Sequence, residues 1–350
     1  MMFANGKALS NEDECRLYIK HTMTDSSAFE WSDYINLAKD MFKPFIFKGF
    51  RIGMTICYDC NHSLFSRMYA LNGGVDLILN STGGNVIYDK WYKYNKVRAI
   101  ENSCYNLVTM GGDDTVVKSN CYVYGFNANG GQLAVHNLYG DSGTINCSGG
   151  LYVYEVTADP GLPLNDTSLH QKETINKHSH IGIPVNGIDN VLAKAEKVRD
   201  GIYRLNNGNE NIIIFIINGM DIMKPEKILS QLYARELKKY SNRRYIIVNK
   251  HDYIEKEFFN TKLSVVLKVR AMENFCTVIV ESDNINKCYQ SGKNRTAQVI
   301  KPVLGNYEID LIRTSGPEAI WKNKIGMKSC WRENFERLVD ESIIISKLEY

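Results

Sequence analysis

The chain has 350 residues, 44% hydrophobic and 23% charged, the composition of a folded globular protein rather than a disordered one. Its 42 basic and 39 acidic residues leave a formal charge of +3, which gives no electrostatic case for a nucleic-acid partner. The longest apolar run, "IIIFIING" at residues 212–219, is too short to span a bilayer, and the nine irregularly spaced cysteines suit reduced thiols better than a disulfide framework.

In chain order, "ECRLYIK" (14–20) and "FIFKGFRIGMTI" (45–56) have β-type composition, the second with a Lys-Gly turn inside it. The apolar run stops at "CYDC", Cys57 to Cys60. After it, "SLFSRMYALNGG" (63–74) places Leu64, Met68 and Leu71 on one helical face, with a glycine pair as the stop. "VDLILNST" (75–82) is a buried strand, residues 88–103 a helix, and "CYNLVTM" (104–110) the strand after it. This alternation predicts an α/β sheet packed by helices. Residues 158–195, rich in Pro, Gly, Asn and His at their start, are expected to be a linker or extended loop. His178 and His180 there make an i, i+2 pair of the kind usually found solvated.

The second half echoes the first. "KVRAIENSCYNLVTM" (96–110) returns as "KVRAMENFCTVIVES" (268–282), and "VDLILN" is matched by "RYIIVN" ending at Asn249. "RIGMTICYD" aligns with "IIIFIINGMD", setting Asn218 or Gly219 where the first copy has Cys57. The expected organisation is therefore a first domain at 1–157, a linker at 158–195, and a degenerate repeat at 196–350 that ends in a helix.

Three readings of Cys57 stand on the residues alone. Cys57 and Cys60 form a C-x-x-C of the redox or zinc type, but zinc needs four ligands and only Asp59 and His62 are close by. Cys57 is otherwise a buried apolar residue or a nucleophile. A thiol at the turn between a strand end and a helix start faces a cleft, and its thiolate suits attack on an amide or nitrile carbon. The backbone N–H of Tyr58 is then placed to donate to a developing oxyanion.

These features together resemble the nitrilase or carbon-nitrogen hydrolase superfamily. The residues that carry the resemblance are the "ICYD" box at 56–59, Arg67 ten residues after the cysteine, the strand "VDLILNST", and Trp91 seven residues before the "RAIEN" box at 98–102. Lys20 stands thirty-seven residues before Cys57, at the end of "LYIK", where the family has its catalytic lysine. The resemblance implies an α-β-β-α sandwich of the nitrilase type, here with a partial first copy and a degenerate second half-repeat. It also implies Cys57 as nucleophile, Lys20 and the Tyr58 N–H as oxyanion donors, and Glu30, with Asp25 behind it, as the supporting acidic residue.

The chain departs from the pattern in two places. The family's general-base glutamate lies on an early strand, but only nineteen residues precede Lys20. Glu12 and Glu14 are too close to the lysine to serve. His62-Ser63-Leu64 also stands where Phe-Pro-Glu is usual. The implied protein is an amide or nitrile hydrolase working through a thioester, without metal or organic cofactor and without its first strands. The alternative is a catalytically inactive scaffold that acts in protein–protein assembly. The expected partners are a small-molecule amide and either a second copy or a companion chain that supplies the absent strands; nucleic acid and membrane are not expected. With no basic start or apolar core of a leader at the amino end, a cytoplasmic location is expected.

Overall fold

A computed structural model describes residues 3–4, 7–8, 18, 20, 42–83, 88–110, 122–134, 136–137, 152–153, 188–207, 210–291, 297–300 and 329–348. The chain divides into two compact units, Met1–Thr167 with Lys328–Tyr350, and Ser168–Met327.

The first unit is built on a five-stranded sheet. Strands β1 (Phe45–Phe47) and β2 (Phe50–Ile56) form a hairpin, with Phe45 opposite Ile52. Its turn residues, Lys48 (φ 50°) and Gly49 (φ 85°), are both left-handed, which matches a two-residue turn to the twist of the strands. Strands β2, β3 (Leu77–Thr82) and β4 (Tyr105–Met110) run parallel, and β5 (Tyr122–Phe126) closes the order antiparallel to β4. Parallel neighbours require crossovers. Helices α1 (Ser63–Leu71) and α2 (Tyr88–Asn102) supply them, as the sequence predicts.

One sheet face carries these helices. Ile78, Asn80 and Thr82 of β3 and Asn106, Val108 and Met110 of β4 are buried, while their alternates are half-buried or exposed. A Cβ on Gly53 would meet the Tyr69 ring at 2.9 Å, so glycine there lets α1 sit close on β2. Ala99 of α2 packs with Val108, Met110, Tyr124 and Phe126. A terminal helix (Ser329–Leu348) belongs to this unit, with Phe335 against Phe65 and His62 at ring distances of 6.0 and 6.1 Å.

The second unit holds a seven-stranded sheet in chain order: β6 (Glu196–Arg199), β7 (Ile202–Asn207), β8 (Glu210–Asn218), β9 (Arg243–Lys250), β10 (Thr277–Glu281), β11 (Asn286–Ser291) and β12 (Ala297–Ile300). Strands β8, β9 and β10 are parallel and the other pairs antiparallel. Helix α3 (Ile188–Leu192) precedes the sheet, α4 (Pro225–Leu232) follows β8, and α5 (Ser264–Asn274) follows β9 after a π-helical turn at Phe259–Leu263. Strands β7 to β11 thus repeat the order and senses of β1 to β5. The fold is α/β, two mixed sheets flanked by helices, consistent with duplication.

The repeated "KVRA-EN" string has the same work in both units. Arg98 pairs with Glu101 inside the first unit, and Arg270 pairs with Glu273 at 2.5 Å inside the second. Asn102 and Asn274 donate back to the carbonyls of Arg98 and Arg270 at 2.9 and 3.0 Å. The next residues, Ser103 and Phe275, both have φ of 49° and stop the helix in the left-handed conformation. Of the sequence-expected linker, residues 158–187 lie outside the described residues, as does most of the run at 14–20; Tyr18 and Lys20 are described and lie outside regular strands.

Breaking one half of a buried ion pair leaves a charge without solvent or partner. Arg98→Met is expected to destabilise the first unit by about 3 kcal/mol, read as a lower urea midpoint. Arg98→Met with Glu101→Leu should recover most of the loss. A single variant as stable as the parent would contradict the role assigned to the pair.

Candidate active site

Strand β2 ends at Ile56, and Cys57 takes a left-handed backbone, φ 50°. That conformation is unfavourable for a residue with a Cβ. It turns the chain out of the sheet into a 3-10 turn, Cys57–Asn61, that leads to α1. Four hydrogen bonds hold this turn. Asp59, fully buried, accepts the Ile56 N–H at 3.2 Å and the Tyr18 hydroxyl at 2.7 Å, both on Oδ2. The His62 N–H bonds the Asp59 carbonyl at 3.0 Å. Arg98 Nε donates to the Cys60 carbonyl at 2.9 Å, which ties the turn to α2. Arg67, on α1, reaches the Glu101 carbonyl at 3.0 Å and so caps α2 in return.

The Cys57 sulfur lies in a tight environment. The residue is 6% exposed, and its Sγ is 4.0 Å from the Gly83 carbonyl oxygen just beyond β3. Burial pushes the thiol pKa up. The Lys20 ammonium and the Tyr58 N–H act in the opposite sense, and the Asp59 carboxylate adds to the rise. The net direction is upward, so the sulfur rests as a thiol. The Tyr58 ring lies beside His62 and Trp91, at 5.8 and 6.2 Å between ring centres. Trp91 and Tyr94 are buried.

Of the sequence-predicted residues, Cys57, Tyr58 and Lys20 are described, and the charge of Lys20 acts to lower the Cys57 pKa. Glu30, Asp25, Glu12 and Glu14 lie outside the described residues, as do His178 and His180. Cys57 and Cys60 are both free thiols. Cys60 is sealed in the core, its Sγ 3.6 Å from Asn61 Oδ1. Among the described residues no group of three or more His, Cys, Asp or Glu could hold a metal ion. Sequence reasoning missed Tyr18 and the role of Arg98. The repeated arginine, Arg98 and Arg270, was the available signal for the second; nothing in a single sequence couples Tyr18 to Asp59, 41 residues away.

The second unit has the same turn without the thiol. Gly219 has φ of 49° and opens a 3-10 turn, Gly219–Met223, whose Ile222 carbonyl accepts Arg270 Nε at 3.0 Å. Asn218 before it is extended, as Ile56 is, so Gly219 rather than Asn218 stands in the place of Cys57. The supporting pair recurs as well. Thr82 bonds Asn80 Oδ1 at 2.7 Å in the first unit, and His251 bonds Asn249 Oδ1 at 2.7 Å in the second. Burial holds the His251 pKa down to about 4, so the ring is neutral at ordinary pH.

In the first unit, a strand of a mixed α/β sheet thus runs through a left-handed cysteine into a 3-10 turn. Residues 2–142 match the family model described as Carbon-nitrogen hydrolase. Among solved structures it is similar to a carbon-nitrogen hydrolase from Helicobacter pylori G27, at 17% identity, covering 27% of this chain and 38% of that one with a TM-score of 0.24. It is also similar to an amidase from Nesterenkonia sp., at 19% identity, covering 37% of this chain and 47% of that one with a TM-score of 0.27. A mutant of the Nesterenkonia sp. AN1 amidase, in which acrylamide has added to the active-site cysteine, matches at 20% identity over 37% and 49% of the two chains with a TM-score of 0.28. The chain thus spans less than half the length of each of these three structures. No curated protein matches it. No helix among the described residues is long and apolar enough to cross a membrane.

Because burial outweighs the nearby ammonium, the thiolate fraction of Cys57 is expected to keep rising through about pH 9. The rate of iodoacetamide alkylation at Cys57, followed by peptide mass spectrometry against pH, should climb without a plateau below that value. A plateau below about pH 8 would contradict the balance described.

Proposed function

We propose that the chain is a carbon-nitrogen hydrolase that cleaves a non-peptide amide through a thioester on Cys57. The observation that carries this reading is the placement of Cys57: a sulfur at the carboxyl end of a parallel strand, bonded by the next backbone N–H and acted on by the charge of Lys20. Ligands of α/β sheets collect at this edge.

Sγ attacks the carbonyl carbon as its proton passes to a base, and the carbonyl oxygen becomes an oxyanion. The Tyr58 N–H and the Lys20 ammonium donate to that oxygen, where negative charge develops. The C–N bond then breaks, the amine or ammonia leaves with the proton, and the acyl group stays on sulfur. Water attacks the thioester, releases the carboxylic acid and returns the thiol. A buried thiol needs a base close to the sulfur when substrate binds, because little thiolate is present beforehand. The resemblance assigns that task to a glutamate, with Glu30 in a supporting role. No metal or organic cofactor enters any step.

The second unit, with Gly219 in the place of the thiol, has no nucleophile at its turn and is proposed as a structural copy. The raised thiol pKa favours a second reading for the whole chain, an inactive scaffold in which Cys57 is a core residue.

Incubation with a panel of small aliphatic and aryl amides, followed by intact mass spectrometry after acid quench, separates the two readings. The hydrolase reading predicts an acyl adduct on Cys57 that hydroxylamine removes, with turnover lost by 10³-fold or so in Cys57→Ala. An amidase activity equal in parent and Cys57→Ala, or no adduct and no turnover with any amide, would sink it in favour of the scaffold.

A further inference from the structure

Tyr18 and Lys20 are two residues apart, and so are Cys57 and Asp59. The Tyr18 hydroxyl donates to Asp59 Oδ2 at 2.7 Å, which joins the two dipeptide steps. The same carboxylate oxygen holds the Ile56 N–H, so Asp59 is fixed from both sides. Two residues of extended chain cover at most about 7 Å. Anchoring the Tyr18 oxygen tethers the backbone that carries Lys20 to the turn that Cys57 opens.

We propose that Tyr18 is a positioning residue: its hydrogen bond to Asp59, in the turn opened by Cys57, fixes the segment that carries Lys20 and so sets the distance from the Lys20 ammonium to the Cys57 sulfur. This rests on the hydrolase reading, since it concerns how the oxyanion donor is aimed. Burial and Asp59 both push the Tyr18 pKa up, so the phenol keeps its proton and remains a donor. A long, flexible lysine has about 2 kcal/mol of rotamer entropy to lose. An anchor two residues away confines its backbone before substrate arrives, which keeps the charge near the oxyanion position.

The test is site-resolved iodoacetamide labelling of Cys57 at one alkaline pH in four proteins: parent, Tyr18→Phe, Lys20→Met and the double variant. Tyr18→Phe keeps the ring and removes only the anchor. Lys20→Met is expected to slow labelling about 10-fold and Tyr18→Phe about 3- to 10-fold, with the double variant no slower than Lys20→Met. The sign separates positioning from mere packing, because loosened packing would expose a buried thiol and speed its labelling. Slow labelling in Lys20→Met with parent-like or faster labelling in Tyr18→Phe would overturn the positioning role and leave the hydrolase reading standing. So would a Tyr18→Phe effect that persists in full beside Lys20→Met. Parent-like labelling in Lys20→Met would remove Lys20 from the site, and both readings with it.

Discussion

The constraint on which the site depends is the left-handed backbone at Cys57. A strand can deliver a side chain to its end, but only a sharp turn there lifts the residue clear of the sheet and swings the next N–H toward it. A non-glycine residue in this region costs on the order of 1 kcal/mol or more. The surroundings offset that cost: Asp59 collects two donors, Arg98 holds the Cys60 carbonyl, and α1 starts at once. Each contact fixes the turn from a different element, so the sulfur is placed by the sheet, both helices and the Lys20 segment together.

The second unit supports this account by what it keeps and what it gives up. It keeps the φ of the turn and the arginine that braces it, and it places glycine at the left-handed position. Glycine adopts that conformation without a steric penalty. Where no thiol is needed, the strain disappears and the architecture stays. The matching hydrogen bonds at Asn80 and Asn249, and the matching left-handed helix ends at Ser103 and Phe275, show strand-end and helix-end geometry common to the two units.

Much of the fold was legible because its signals are local. The strands β2, β3 and β4 and the helices between them follow from apolar runs, a 3.6 period and glycine stops, and the Lys48-Gly49 turn was readable as such. The site was less legible. Cys57 stood out as the end of a strand and the motif order pointed to Lys20, but burial of the sulfur, which raises its pKa, is a tertiary fact. The Tyr18–Asp59 bond spans 41 residues and leaves no periodic trace. A hydrolase built on this sulfur therefore needs a base close to it when substrate binds.

The most direct test of the turn compares two variants at one position, Cys57→Gly and Cys57→Ala, by chemical unfolding. At an ordinary backbone position alanine is the more stable by about 0.4–1 kcal/mol. Held in the left-handed region, the order should reverse, with glycine the more stable by about 1 kcal/mol. Alanine equal to or above glycine would show that residue 57 does not carry the strained conformation, and the account of how the sulfur is presented would fail.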